Sequence, residues 1–296
     1  MLRIAVVLAA LIPVLLVAYF GVGLLVASRL TAAEEVRMEQ TPAALGLDFQ
    51  DVRLESTDGL RLASWWVPKE GSSEAAILVH GLGGNKSGGP TLTTAQIYNR
   101  AGYNVLMLDL RAHGESEGSR RTLGHKEVRD VRGALDWLRK RGIQPEQTIL
   151  HGWSMGGATV VRSAPGTGVA AVVEEAGYAD LPLLLGNALP KTIGLPAFFS
   201  PGAMLMAKVF LGFDPWEVSP KSEAGRLSSE GTPLYIIHST TDQTVPFRHA
   251  EIFAGSYPGA RLWKLEGYGH VEAYSHPEYE ERLSGFLEGL EVREAA

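Results

Sequence analysis

Gly152-Trp153-Ser154-Met155-Gly156-Gly157 places a serine between glycines two residues before it and two residues after it. A short apolar run, residues 148–150, precedes this stretch, and small residues able to start a helix follow it. A sharp strand-to-helix turn strains the backbone of its central serine and brings the crossing chain very close. A bulky neighbour would collide there, so both flanking positions call for glycine. Such a turn lifts the serine Oγ above the edge of a sheet, next to the amide of Met155. A serine built into a loop for structural reasons rarely needs that pair of glycines, although short G-x-S-x-G matches also arise by chance.

Outward from this turn the chain alternates short apolar strands with helices. Residues 51–68 hold two strand-like stretches around Asp58-Gly59, a hairpin turn signal. Further strands are expected at 75–79, 105–108, 148–150, 169–173, 233–237 and 261–265, and helices at 91–101, 126–141, 247–256 and 277–290. Val128, Val131, Leu135 and Leu138 recur at helical spacing, and Gly102 and Gly142 close the first two helices. The alternation implies an α/β fold, a mostly parallel eight-stranded sheet with helices on both faces. Residues 178–222 break it with a leucine- and phenylalanine-rich stretch too long for an ordinary connection. A small helical cap that supplies an apolar wall to the site is expected there. The alternative is a pair of helices that bury the same leucines as core.

The amino terminus differs in kind. Residues 4–27 form a 24-residue run without charge, bounded by Arg3 and Arg29. A helix of roughly 20 residues crosses the ~30 Å hydrocarbon layer, and Pro13, Gly21 and Gly23 are tolerable within it. A signal-peptide core is typically ~7–15 residues, and Thr31-Ala32-Ala33 is the nearest resemblance to a cleavage site. An uncleaved single-pass anchor at 1–30 is therefore expected, followed by a polar juxtamembrane linker at 31–50 that carries Glu34, Glu35 and Glu39. The domain core would comprise 51–177 and 223–296. The catalytic domain is expected on the extracytoplasmic side, although Arg3 and the terminal amine oppose Arg29 and Arg37 and the positive-inside rule barely discriminates.

At 296 residues the chain suits one large domain with small additions. The formal charge of −6 and the absence of basic blocks interleaved with aromatics argue against nucleic acid as a partner. No cysteine is present, which excludes disulfides, thiolate catalysis and cysteine-ligated zinc. The eight histidines are scattered without an H-E-x-x-H pattern, so no metal and no cofactor is expected. The oligomeric state is not encoded in any of these features.

A neutral serine hydroxyl needs a base and a group that holds the base in the right tautomer. His270, in Gly267-Tyr268-Gly269-His270, follows the last strand and so lies at the carboxyl edge of the sheet. His80 and His113 fit better as loop residues that hydrogen-bond backbone, and His125, His249 and His276 fit solvent-facing helical positions. Asp242, in the loop after 233–237, is the expected third member, with Asp214 in the insertion as runner-up. The order Ser154, Asp242, His270 gives nucleophile, acid and base from three loops at one sheet edge. Donors for a developing oxyanion are expected from the amide of Met155 and from the loop His80-Gly81-Leu82-Gly83-Gly84, with Leu82 N–H the best fit. Gly152, Gly156 and Gly157 would support the turn, and His80 and Gly81 the loop. That loop lacks a nucleotide-binding pattern, and Lys86 does not supply one.

With these residues in place, the chain resembles the serine alpha/beta-hydrolase family over about 52–290, nearest its monoglyceride-lipase-like and prolyl-oligopeptidase-like branches, which include membrane-anchored hydrolases. The resemblance runs through H-G-L-G-G at 80–84, D-L-R-A-H-G-E-S at 109–116, G-W-S-M-G-G at 152–157, the loop 242–246 and G-H at 269–270. It implies Ser154 as nucleophile, His270 as base, Asp242 as its orienter, and Leu82 and Met155 as oxyanion donors. It also implies that Arg111, His113, Gly114 and Ser116 shape the neighbouring loop. The expected activity is hydrolysis of carboxylic esters through an acyl-enzyme, on monoacyl lipids or similar apolar esters. The alternatives are a serine peptidase or amidase, and a membrane-tethered binding protein without turnover.

Overall fold

The computed structural model describes residues 2–33, 36–38, 40–192 and 194–294, with the side chains of 2–10, 192 and 291–294 outside the description. Glu34, Glu35 and Glu39 of the expected linker thus lie outside the described residues, as do the side chains of the first part of the expected anchor.

The strands are β1 (Gln50–Glu55), β2 (Arg61–Val67), β3 (Ala75–Val79), β4 (Asn104–Leu108), β5 (Thr148–Trp153), β6 (Ala171–Glu175), β7 (Leu234–Ser239) and β8 (Arg261–Leu265). They form one sheet in the order β1-β2-β4-β3-β5-β6-β7-β8. β2 runs antiparallel to both neighbours, β1 and β4, and every other pairing is parallel. β3 to β7 are buried at every position, as continuous apolar strands must be when helices cover both faces. The fold is therefore that of an alpha/beta hydrolase, as expected.

One face is covered by α2 (Gly89–Arg100) and α9 (Tyr279–Glu294), which bury Leu92, Tyr98, Leu283 and Phe286 against it. The other is covered by α3 (Val128–Arg139), α4 (Met155–Ser163), α7 (Pro220–Glu230) and α8 (Arg248–Ser256), through Val131, Val160, Leu227 and Phe253. Several element boundaries differ from the sequence expectation: β5 runs three residues past 150, α9 runs four residues past 290, and β6 starts two residues later than 169. Gly168, at a φ of 79°, ends the preceding turn there. His249 is not solvent-facing as its helical position suggested. It is fully buried, and its Nδ1 accepts the Ala179 amide at 3.2 Å, because α8 turns that side toward the sheet.

Between β6 and α7 the chain forms α5 (Leu181–Thr192), α6 (Phe199–Met206) and a π-helical turn, Ala207–Leu211. Tyr178, Ala179, Leu181 and Val218, at the two ends of this segment, are buried in the main core, so it is rooted in the sheet's own packing. The long amino-terminal helix α1 (Leu2–Thr31) lies against α6. Beyond it the chain is held to the core. Arg121 N–H donates to the Thr31 carbonyl at 2.9 Å, Ala32 bridges Arg120, and Asn85 Nδ2 donates to the Val36 carbonyl at 3.0 Å.

The fit of α3 onto β1 depends on Gly133. A Cβ there would overlap the Glu55 carbonyl and lie 2.8 Å from Ser56 Cα. Alanine normally gains about 1 kcal/mol over glycine inside a helix. Gly133→Ala should instead lower stability, by about 1–3 kcal/mol as overpacking does. A urea titration checks the sign, and a raised midpoint would show that α3 moves off the strand freely.

Candidate active site

Ser154 sits at the junction of β5 and α4 with φ 54° and ψ −118°, a conformation that costs a non-glycine residue about 1–3 kcal/mol. Its amide donates to the Glu175 carbonyl at 2.8 Å, which fastens the turn to β6. The flanking glycines are needed for contact. A Cβ on Gly152 would overlap the Gly156 carbonyl, and one on Gly156 would overlap the Val79 carbonyl. Gly157 faces the Glu174 carboxylate, which a Cβ would approach to 2.9 Å.

His270, on the loop after β8, brings Nε2 to 2.9 Å from Ser154 Oγ. Its Nδ1 lies 2.7 Å from Asp242 Oδ2. Asp242 is 5% exposed, and its Oδ1 accepts the amides of Thr244 and Val245 at 2.8 and 2.9 Å. Burial pushes the Asp242 carboxyl up, but the hydrogen bond and charge of His270 and the Val245 amide outweigh it and hold it below the usual range. An ionised carboxylate only accepts, so Nδ1 carries the imidazole proton and Nε2 is left as an acceptor for the serine hydroxyl. Asp214 is elsewhere. It accepts the Trp216 amide and pairs with Lys208 on the surface.

The loop 80–84 presses on the serine turn, with Gly81 so close that a Cβ would lie 3.1 Å from Ser154 Cβ. His80 holds it, donating from Nδ1 to the Gly81 carbonyl at 2.8 Å and accepting the Leu110 amide on Nε2 at 3.1 Å. Burial lowers the His80 pKa and keeps the ring neutral, which the bond accepted by Nε2 requires. Met155, as the first residue of α4, has an amide without an intrahelical acceptor. Leu82 and Met155 both line the cavity that contains Ser154 and His270.

That cavity has a volume of about 250 Å³ and is walled mainly by Leu123, Tyr178, Leu181, Leu184, Leu185 and Leu189. Leu30 of α1 also lines it, as do Thr244 and Val245 beside Asp242. A second cavity of about 260 Å³ meets Ser154 and His270 from the other side, against glycines 81, 84 and 88, Asn85 and Thr91. Leu30 could not be recognised as a site residue from sequence, because it ends a long apolar helix more than one hundred residues from Ser154.

Lys86 has a structural role that sequence did not reveal. Its side chain is fully buried, with Nζ 2.6 Å from Asp109 Oδ2 and 2.9 Å from Glu115 Oε2, above the Trp65 ring. Together with its amide, which donates to Asp109 Oδ1 at 2.7 Å, it ties the 80–86 loop to the 109–115 loop. Arg111 does the same for the hairpin, pairing with buried Asp130 at 2.6 Å and with Asp58 at 2.7 Å.

The alpha/beta hydrolase family model matches residues 76–281. Among curated relatives, the uncharacterized protein YfhR of Escherichia coli is 26% identical over 252 residues, covering 80% of each chain. The alpha/beta hydrolase domain-containing protein WAV2 of Arabidopsis thaliana is 26% identical over 221 residues, covering 72% of this chain and 68% of that one. Among solved structures, an esterase of Pyrococcus furiosus superposes with a TM-score of 0.70 at 23% identity, covering 88% of this chain and 97% of that one.

Two outcomes are expected of the groups beneath the site. Lys86→Met leaves the Asp109 carboxylate buried without its cation and should cost about 3–5 kcal/mol in a urea titration. An unchanged midpoint would mean that Asp109 finds water. Burial, opposed by the Gly177 amide and aided by the charges of Glu175 and Asp242, pushes the Glu174 carboxyl up to about 8. The folded chain then holds a proton that the unfolded chain releases near pH 4.5, so stability falls as pH rises from about 4.5 to 8. Glu174→Gln removes this dependence, and its stability relative to the natural chain should improve between pH 6 and 8. A constant difference would show Glu174 ionising freely in the fold.

Proposed function

Because the chain belongs to the alpha/beta hydrolase family, we propose that it is a serine hydrolase that cleaves carboxylic esters through an acyl intermediate on Ser154. The observation that carries this reading is the continuous relay Asp242–His270–Ser154, at 2.7 and 2.9 Å, opening onto an apolar cavity. Ser154 Oγ attacks the ester carbonyl carbon while His270 Nε2 takes the hydroxyl proton, and Asp242 stabilises the imidazolium that forms. The oxyanion is met by the amides of Met155 and Leu82, aided by the positive end of α4. Collapse breaks the carbon–oxygen bond to the alcohol, which leaves with the proton from His270. Water then enters, gives its proton to His270, and hydrolyses the acyl-serine by the same sequence.

The two cavities that meet at Ser154 suit the two halves of an ester. The leucine-lined one takes an apolar acyl chain, and the one beside Asn85 and Thr91 takes the alcohol. We read the substrate class as monoacyl lipids or similar apolar esters, with residues 178–222 as the cap and α1 as a membrane anchor. Residues 11–31 contain an 18-residue window with a mean hydropathy of 2.3 and suffice in length to cross a bilayer, a property that a signal sequence shares. The packing of α1 onto α6 supports the anchor, since a segment removed by processing gains nothing from a fitted partner.

A fluorophosphonate probe should label the full chain at Ser154, and Ser154→Ala should abolish both labelling and hydrolysis of p-nitrophenyl esters. Asp242→Asn should lower kcat by about 10⁴-fold, because the imidazole then adopts the wrong tautomer. A folded chain that neither labels nor hydrolyses esters would refute the assignment. Cleavage of amides in preference to esters would move it to a peptidase.

A further inference from the structure

The cavity at Ser154 does not end at a wall of the sheet. Behind it, between α1 and the cap helices, lies a second small void of about 20 Å³, and Leu30, Leu123, Leu185 and Leu189 line both. Three of these four belong to the hydrolase core and cap. Leu30 belongs to the last turns of α1. The beginning of the same void is formed by Ala27, Ala203 and Ala207, small residues on α1, on α6 and in the π-helical turn.

Leu30 is fixed in place from both directions along the chain. Toward the amino terminus, Val22, Val26 and Leu30 recur every four residues on one face of α1 and pack with Leu189, Ala203 and Phe199. Gly23 lets the two helix backbones touch, since a Cβ there would lie 2.7 Å from the Gly202 carbonyl carbon. One turn earlier, the Tyr19 hydroxyl donates to the Phe198 carbonyl at 2.8 Å and accepts the Gly202 amide at 3.0 Å. Toward the carboxyl side, Thr31 receives the Arg121 amide at 2.9 Å on its carbonyl and Arg120 Nη1 at 3.2 Å on its Oγ1. On the opposite face of α1, Leu25 is 54% exposed. A helix that only tethers the domain needs neither a matched pair of glycines nor a hydroxyl that joins two backbones of the cap.

We propose that α1 is a permanent wall of the substrate pocket and that Leu30 sets acyl-chain length, by closing the pocket at Ser154 off from the void behind it. The proposal rests on the reading of that pocket as the acyl site. In this arrangement Leu30 is a specificity-determining residue that takes no part in bond making, so its substitution changes chain-length preference and spares the chemistry. Leu30→Ala joins the two spaces and admits longer chains. Leu30→Trp fills the end of the pocket and excludes chains that the natural protein accepts.

The test is a series of p-nitrophenyl esters, from acetate to laurate, on the detergent-solubilised full chain, with fluorophosphonate labelling as a measure of folded sites. In the natural chain kcat/KM should rise up to about fourfold per methylene and then level off when the pocket is full. Leu30→Ala should extend the rise by two or three carbons, Leu30→Val by less, and Leu30→Trp should cut it short. Each profile is read relative to that variant's own acetate turnover per labelled site, and Leu25→Ala should leave the whole profile unchanged. Gly23→Leu, which forces α1 away from α6, should flatten the profile while acetate turnover persists. Profiles for the Leu30 variants that superimpose on the natural one, with acetate turnover intact, would overturn the role of Leu30. A natural chain that hydrolyses no ester would instead overturn the assigned activity, and the role of Leu30 with it.

Discussion

The close crossing of backbone at Ser154 is the constraint on which the rest of the site depends. Four chain segments meet within contact distance there: the end of β5, the first turn of α4, the 80–84 loop after β3 and the end of β6. The serine is held at φ 54° by the geometry of that crossing and by its amide bond to the Glu175 carbonyl. Glycines at 81, 152 and 156 are present because any side chain at those positions meets backbone or the serine itself. The strain, of order 1–3 kcal/mol, is borne by a sheet whose central strands are buried throughout. In return, the hydroxyl stands clear of the sheet edge, within reach of an imidazole from a loop more than one hundred residues away in sequence.

The loops around this crossing are fixed by buried charge. Lys86 joins Asp109 and Glu115, and Arg111 joins Asp130 and Asp58. Pairs of this kind add little net stability over well-packed apolar residues, because desolvation offsets the attraction. Their directional hydrogen bonds are more useful. They tie the 80–86, 109–116 and 56–60 turns to one another and to α3, and the 80–86 turn carries the proposed second oxyanion donor. His80 adds a neutral link between two of the same loops, and burial keeps it neutral.

The cap and the amino-terminal helix have to be considered together. α6 and the π-helical turn alone would leave Ala203 and Ala207 uncovered, and α1 alone would leave Val26 and Ala27 uncovered. Packed against each other, they bury all four. Side chains farther out, among them Leu15 and Val17 on α1, Phe198 just before α6, and Val209 and Phe210 in the π-helical turn, remain exposed. The apolar surface is thus continuous from the free part of α1 onto the cap, and the reading of α1 as a membrane anchor gives that surface an environment.

Much of the site was legible from sequence because it is local. The glycine spacing around Ser154 specifies one turn, and His270 and Asp242 each follow a strand closely enough that the parallel sheet carries them to the same edge. The eight strands were readable for the same reason, as short buried runs between helices of clear 3.6-residue period. Contacts that join distant segments could not be read in this way. The burial of His249 depends on which side of α8 meets the sheet. The partners of Lys86 lie 23 and 29 residues away. The stripe Tyr19, Val22, Gly23, Val26 and Leu30 was hidden, because in a helix that is apolar all round the face that docks has no hydrophobic contrast with the face that does not. Sequence determined the fold and the three side chains that meet, since periodicity and turn chemistry are written in neighbouring residues. Only the tertiary structure decided which loops are clamped and that Leu30 of α1 lines the cavity at Ser154, since those depend on shape complementarity between surfaces far apart in the chain.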